Sequence, residues 1–113
     1  MNETCLFCRI ARKEIPAQRV AETAQGFVLR DISPQAPVHL LVISKQHLAS
    51  LAEATDSALL GELLLLAAQV ARDAGLATDG YRVVVNTGEN GGQSVQHLHL
   101  HVLGGRNLAW PPG

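Results

Sequence analysis

The apolar positions of this chain fall into two rhythms. From about Asp56 to Ala74, Leu59, Leu60, Leu63, Leu66, Ala67 and Val70 recur near a helical period and predict one long amphipathic helix with a wide apolar face. Asp56 or Ser57 can cap its first turn, and Gly75 can end it. Elsewhere the rhythm is shorter. Val38 to Ile43 is rich in apolar and β-branched residues and reads as a buried strand. Arg19 to Ala21, Phe27 to Arg30 and Tyr81 to Asn86 read as further strands, and Val95 to Leu103 as the last. Cys5 to Lys13 predicts a short helix that ends before Pro16. Two prolines between Asp31 and Pro37, and glycines and polar residues from Thr87 to Gln93, mark loops. About five strands with one long and one short helix, without strict β-α-β alternation, predict an α+β domain built on an antiparallel sheet.

Length and composition narrow this picture. The 113 residues suffice for one domain, spanning 1–113, and 47% apolar content argues against disorder. A formal net charge of −1 offers no broad basic face, so nucleic acid is not an expected partner. The longest apolar run, Leu63 to Ala68, is too short to span a bilayer, and the first residues lack the pattern of a signal peptide. A soluble, cytoplasmic protein is expected. In that compartment Cys5 and Cys8 fit thiols or metal ligands better than a structural disulfide.

The chemistry concentrates near the end of the chain. His97, His99 and His101 alternate with Leu98, Leu100 and Val102. In a strand this spacing sends all three imidazoles to one face, roughly 7 Å apart, and the apolar residues to the other. Such a row suits metal ligation or nucleophilic transfer at phosphorus, and the spacing alone does not choose between them. Cys5-x-x-Cys8 with His47 and His97 forms a tetrahedral zinc set if the fold gathers them; a redox pair or two buried small residues are the alternatives. The loop from Asn86 to Ser94 could bring backbone N–H groups to a phosphate, though it lacks the ending of a P-loop. Asp31 could accept ribose hydroxyls or be a plain turn residue.

These residues resemble those of a known family. His97-Leu98-His99-Leu100-His101-Val102-Leu103 is similar to the signature of the histidine triad proteins. Asp31 to His39, Gly91 to Val95 and the closing Trp110-Pro111-Pro112-Gly113 resemble the Hint branch of that family. The resemblance implies a HIT-like fold and a homodimer whose sheets join into one. It also implies a hydrolase that cleaves the P–N bond of adenosine or other purine nucleoside 5'-phosphoramidates. His99 falls at the nucleophile position, His101 at the position contacting phosphate and leaving group, and His39 at that of a supporting fourth histidine. Asn86, Gly92, Gln93 and Ser94 fall on the phosphate side, Asp31 at the ribose, Ile32, Leu29 and Leu41 near the base. Trp110 matches a tail residue that reaches the partner's site. By the same resemblance Cys5, Cys8, His47 and His97 would hold a structural zinc, and no catalytic metal would be required. Hydrolysis of dinucleoside polyphosphates, and nucleotide binding without a catalytic role, are the alternatives.

Overall fold

The computed structural model describes residues 4–113. In chain order its elements are α1 (Leu6–Ala11), β1 (Ala21–Glu22), β2 (Gly26–Arg30), β3 (Val38–Ser44), a 3-10 turn (Leu51–Glu53), α2 (Ser57–Asp73), β4 (Tyr81–Val84) and β5 (His99–Gly104). The strands form one antiparallel sheet in the order β1-β2-β3-β5-β4. This is the α+β architecture expected from the sequence.

Period-two alternation divides the sheet into two faces. Val28, Leu40, Val42, Leu100 and Val102 point one way and pack under Leu59, Leu63, Leu66, Ala67, Val70 and Ala71 of α2. Burying each large aliphatic side chain here contributes about 2 kcal/mol. Phe27, Leu29 and Ile43 lie on the opposite face, covered in part by Phe7 and Ile10 of α1.

Local signals fix the ends of α2. The Asp56 carboxylate accepts the Ala58 N–H at 3.0 Å. At the other end Gly75 takes φ +80°, the left-handed region open to glycine. Its N–H reaches the Arg72 carbonyl and the Leu76 N–H reaches that of Ala71, which turns Leu76 back into the core.

Three expected strands are displaced or shorter. β1 is Ala21–Glu22 rather than Arg19 to Ala21, because the Arg19 side chain instead turns to the end of α1, donating to the Ile10 carbonyl at 2.8 Å. β4 ends at Val84 rather than Asn86. β5 begins at His99, not Val95. Residues 95–97 bend, with the His97 N–H bonded to the Val95 carbonyl, and the Leu98 N–H reaches across to the Leu48 carbonyl. His97 therefore lies outside the strand that carries His99 and His101.

Candidate active site and metal centre

Register assembles the site on the sheet face opposite α2. Phe27 on β2 pairs with Ile43 on β3, and Ile43 with His99 on β5. One row along, Leu29 pairs with Leu41, and Leu41 with His101. One row further, the Asp31 N–H donates to the His39 carbonyl at 3.0 Å. Two histidines thus stand beside an apolar floor made by Leu29 and Leu41, with Asp31 and His39 at its edge. Ile32, 99% exposed, sits on the rim next to Asp31.

Hydrogen bonds determine which nitrogen of each ring carries its proton. The Gln35 N–H donates to Nδ1 of His39 at 3.0 Å. That nitrogen must be a lone pair, so the His39 proton is on Nε2. His39 Nε2 lies 2.8 Å from Nδ1 of His101 and donates to it. The His101 proton is consequently on Nε2. Asp31 Oδ2 lies 3.4 Å from the same His39 Nε2–H. With Nδ1 accepting, His39 is neutral, so this contact is a hydrogen bond and not an ion pair. Asp31 Oδ1 accepts the Ser33 N–H at 2.8 Å.

His99 is held the other way round. Its Nδ1 lies 2.6 Å from the His97 carbonyl, which can only accept, so Nδ1 carries the proton and Nε2 is a lone pair. His99 is 7% exposed, and its ring centroid is 5.1 Å from that of His101. Two neighbouring rings thus present complementary groups, a nucleophilic nitrogen on His99 and an N–H donor on His101. Burial first, then His99 and His39 nearby, push the His101 pKa down to about 4, against a smaller upward pull from Asp31. His101 is neutral at pH 7 and donates its hydrogen bond without carrying charge.

The second cluster lies behind His99. Cys5 caps α1 and Cys8 lies inside its first turn. The Sγ of Cys5 is 3.2 Å from His97 Nδ1, and the Sγ of Cys8 is 3.2 Å from His47 Nδ1 and 3.5 Å from His97 Nδ1. The two imidazole nitrogens face each other at 3.1 Å. His97 Nε2–H donates to the Ser44 carbonyl at 2.6 Å, so its Nδ1 is a bare lone pair aimed into the cluster. Burial is the main cause that holds the His97 pKa below the ordinary imidazole range, which favours the neutral, ligating form. Tetrahedral zinc, with bonds of about 2.0–2.3 Å, needs ligand atoms about 3.3–3.8 Å apart. The Cys5–His97, Cys8–His47, Cys8–His97 and His47–His97 distances come within a few tenths of an ångström of that, and all four atoms lie within 4.8 Å of one another. Both sulfurs are thiols, not a disulfide. The set fits a metal ion held by four protein ligands, which leaves no open position for substrate.

The remaining expected residues are spread around this face. The Thr87–Gly92 turn packs back on itself: a Cβ on Gly91 would lie 2.9 Å from the Thr87 nitrogen, and Gly92 takes φ +79°. Gln93 braces the loop, with Nε2 donating to the carbonyls of Ala49 at 2.6 Å and Val95 at 3.1 Å, and Oε1 accepting the Gly88 N–H at 2.9 Å. Its own N–H goes to the Gly88 carbonyl. Both its donor groups are therefore engaged inside the protein. Asn86 is half-buried and Ser94 exposed. Trp110, 79% exposed, lies in the tail beneath the Arg82 guanidinium, 5.8 Å from its ring centroid.

Three contributors escape the sequence reading. The Gln35 N–H and the Ser44 carbonyl are backbone groups, for which no residue type is a signal. Phe7 packs edge-on against His97 and His99, with ring centroids 5.7 and 5.3 Å away. The one hint of it is an aromatic residue placed between the two cysteines.

Comparison with known proteins agrees with this geometry. The HIT domain model matches residues 12–108. An uncharacterized HIT-like protein of Synechococcus elongatus is 56% identical over 115 residues, covering the whole of both chains. The structure of a HIT family hydrolase from Legionella pneumophila superposes with a TM-score of 0.94 at 50% identity, covering 97% of this chain and 100% of that one. A histidine triad protein from Clostridium difficile gives 0.91 at 36% identity, covering 96% of each. A histidine row on a shared sheet face, a family model matched over most of the chain and whole-length relatives above half identity establish that the chain belongs to the HIT family.

Proposed function

We propose that this protein is a Hint-branch hydrolase that cleaves the P–N bond of purine nucleoside 5'-phosphoramidates through a nucleotidyl intermediate on His99. The observation that carries the reading is the opposed tautomers of His99 and His101. His99 offers a lone pair at Nε2, and His101 offers an N–H that a phosphate oxygen can accept. The hydrolase among the structural relatives is consistent with it.

In this scheme His99 Nε2 attacks phosphorus and the P–N bond breaks. The amine leaves with the bonding pair and takes a proton from water at the exposed mouth, on the side of Ser94. Water then attacks the same phosphorus and gives up a proton to solvent. The P–Nε2 bond breaks, the pair returns to His99, and a nucleoside 5'-monophosphate departs. His101 keeps its proton and stabilises charge on the phosphate. His39 holds His101 in the donor tautomer. The loop with Asn86 and Gly92 faces the phosphate, and Gln93 shapes it. Asp31 retains lone pairs for ribose hydroxyls beyond its bond to Ser33. Leu29, Leu41 and Ile32 supply an apolar seat for the base. Cys5, Cys8, His47 and His97 would hold a structural zinc, whose contribution is rigidity.

A homodimer is part of the same reading. β4 is an outer strand of the sheet, Tyr81 on it is exposed, and joining two β4 edges would satisfy their backbone groups. Trp110 would then reach the partner's site. No helix among the described residues is long and apolar enough to cross a membrane. Residues 1–113 are read as one domain working in the cytoplasm on a small nucleotide.

The test compares turnover of adenosine 5'-phosphoramidate with that of a dinucleoside polyphosphate. Faster hydrolysis of the P–N substrate is expected. A preference for P–O–P cleavage moves the protein to the dinucleoside polyphosphate hydrolases, and inactivity on both sinks the enzymatic reading.

A further inference from the structure

We infer that His97 is a positioning residue that couples the Cys5–Cys8–His47 cluster to the reactive tautomer of His99, so that metal occupancy at that cluster controls turnover. This rests on the reading of His99 as the nucleophile, but its geometric core does not.

His97 faces both ways. Its ring is fixed at two points: Nε2–H on the Ser44 carbonyl at 2.6 Å, and Nδ1 among Cys5, Cys8 and His47 at 3.1 to 3.5 Å. Its carbonyl is the acceptor at 2.6 Å that keeps the proton of His99 on Nδ1 and leaves Nε2 bare. Because residues 95–97 bend before β5 begins, that carbonyl lies outside the β5 ladder, and the backbone holds its peptide plane only from the far side, by the Leu98 N–H on the Leu48 carbonyl at 2.7 Å. The ring anchors of the same residue supply the rest of the hold on its orientation. Phe7 adds a second link, since it sits between the two cysteine ligands in sequence and touches the rings of both His97 and His99. Without an ion the two thiols can only hydrogen-bond weakly to the imidazole nitrogens, a looser hold than four bonds to one metal, so emptying the cluster frees the His97 ring and lets its carbonyl turn. The His99 ring then loses its acceptor and exchanges tautomers, and only one of the two has its lone pair on Nε2.

The residues proposed to meet the nucleotide are held by other contacts: Leu29 and Leu41 pair across β2 and β3, and the Asp31 N–H, just past β2, bonds to the His39 carbonyl. Loss of metal is thus expected to reduce kcat at least about tenfold with KM changed by less than about twofold. Oxidation of Cys5 and Cys8 by a disulfide-forming oxidant removes two ligands and has the same effect.

The test reads the His99 tautomer directly, through its imidazole nitrogen signals in long-range 1H–15N spectra. Zinc-loaded protein, chelated protein and the variants Cys5→Ala and Cys5→Asp are compared, with metal content measured on each. Aspartate both caps a helix and ligates zinc, so Cys5→Asp is the conservative rescue. Expected are one Nδ1–H tautomer in the loaded protein and in Cys5→Asp, and a mixture in the chelated protein and in Cys5→Ala, with His101 unchanged throughout. If chelation unfolds the sheet, Cys5→Ala, which leaves three ligands, is read in its place. A single Nδ1–H tautomer in folded, metal-free protein overturns the coupling, and so does a protein that takes up no zinc. Failure of the phosphoramidase reading alone shows as absent turnover with the tautomer switch intact.

Discussion

His39 Nε2 stands 2.8 Å from His101 Nδ1, and the proton between them belongs to His39 because Gln35 N–H occupies its other nitrogen. One backbone amide thus sets the polarity of two rings in series. Removing the middle of this chain should free His101 to rotate or change tautomer. His39→Leu is expected to lower kcat by about one to two orders of magnitude while the fold persists. His101→Ala, which deletes the donor itself, is expected to cost about 10²–10³. Steady-state kinetics on adenosine 5'-phosphoramidate checks both. A His39→Leu enzyme as fast as the wild type would show that the series is structural ornament.

Stability should fall in mild acid. Burial pushes the folded His101 pKa down to about 4, and its unfolded value is near the ordinary imidazole value of 6.5. Between these values the unfolded chain binds the additional proton, so stability rises with pH there. This contribution is fully present above about 6.5 and is lost progressively as pH falls toward about 4. Urea midpoints measured across that window should decline in the wild type and decline less in His101→Asn. Equal slopes in the two proteins would refute the assignment.

The loop proposed to face the phosphate depends on a close backbone approach at Gly91. A methyl there meets the backbone of Thr87, including its carbonyl oxygen and its nitrogen, which cannot swing aside as a side-chain tip can. Gly91→Ala is expected to open the turn and weaken binding of a nucleoside monophosphate, by up to about 10²-fold if the loop shifts by an ångström. Calorimetric titration gives the number. Unchanged affinity would remove this loop from the phosphate contacts.

Loading and removing metal should move stability strongly. Cys8 and His97 are fully buried; chelation leaves four converging donors without an ion, and Cys8→Ala leaves only three. An ion bound well below its working concentration stabilises the folded state by about 3–4 kcal/mol. Thermal unfolding with and without chelator should differ accordingly, and Cys8→Ala should be insensitive to zinc. Zinc-independent unfolding of the wild type would leave the cluster as a packed core of thiols and rings.

Much of the site is legible in the sequence where periodicity carries it. Alternation along β5 puts His99 and His101 on one face and Leu100 and Val102 under α2, and the cap at Asp56 and the glycine at 75 bracket the long helix. The reading goes astray where a side chain or a distant backbone group overrides the pattern. His97 shares the spacing of its neighbours, yet it leaves the strand because Leu98 N–H bonds to Leu48 and its own ring enters the cysteine cluster. The contacts of Gln93, expected on the phosphate side, are not legible either: its side-chain amide meets three backbone groups of the protein. The tautomers of His39, His99 and His101 depend on the amide of Gln35 and the carbonyl of His97, and no choice of side chain announces those.

The covalent step is the centre of the proposal, and it can be observed. Wild-type protein mixed with an adenylated amine is quenched in acid-free denaturant within milliseconds, digested and mapped by mass spectrometry. Expected is an adenylyl group on His99, formed and lost at rates that account for turnover, and absent in folded His99→Ala. Turnover with no such adduct, or an adduct on another residue, would contradict His99 as the nucleophile.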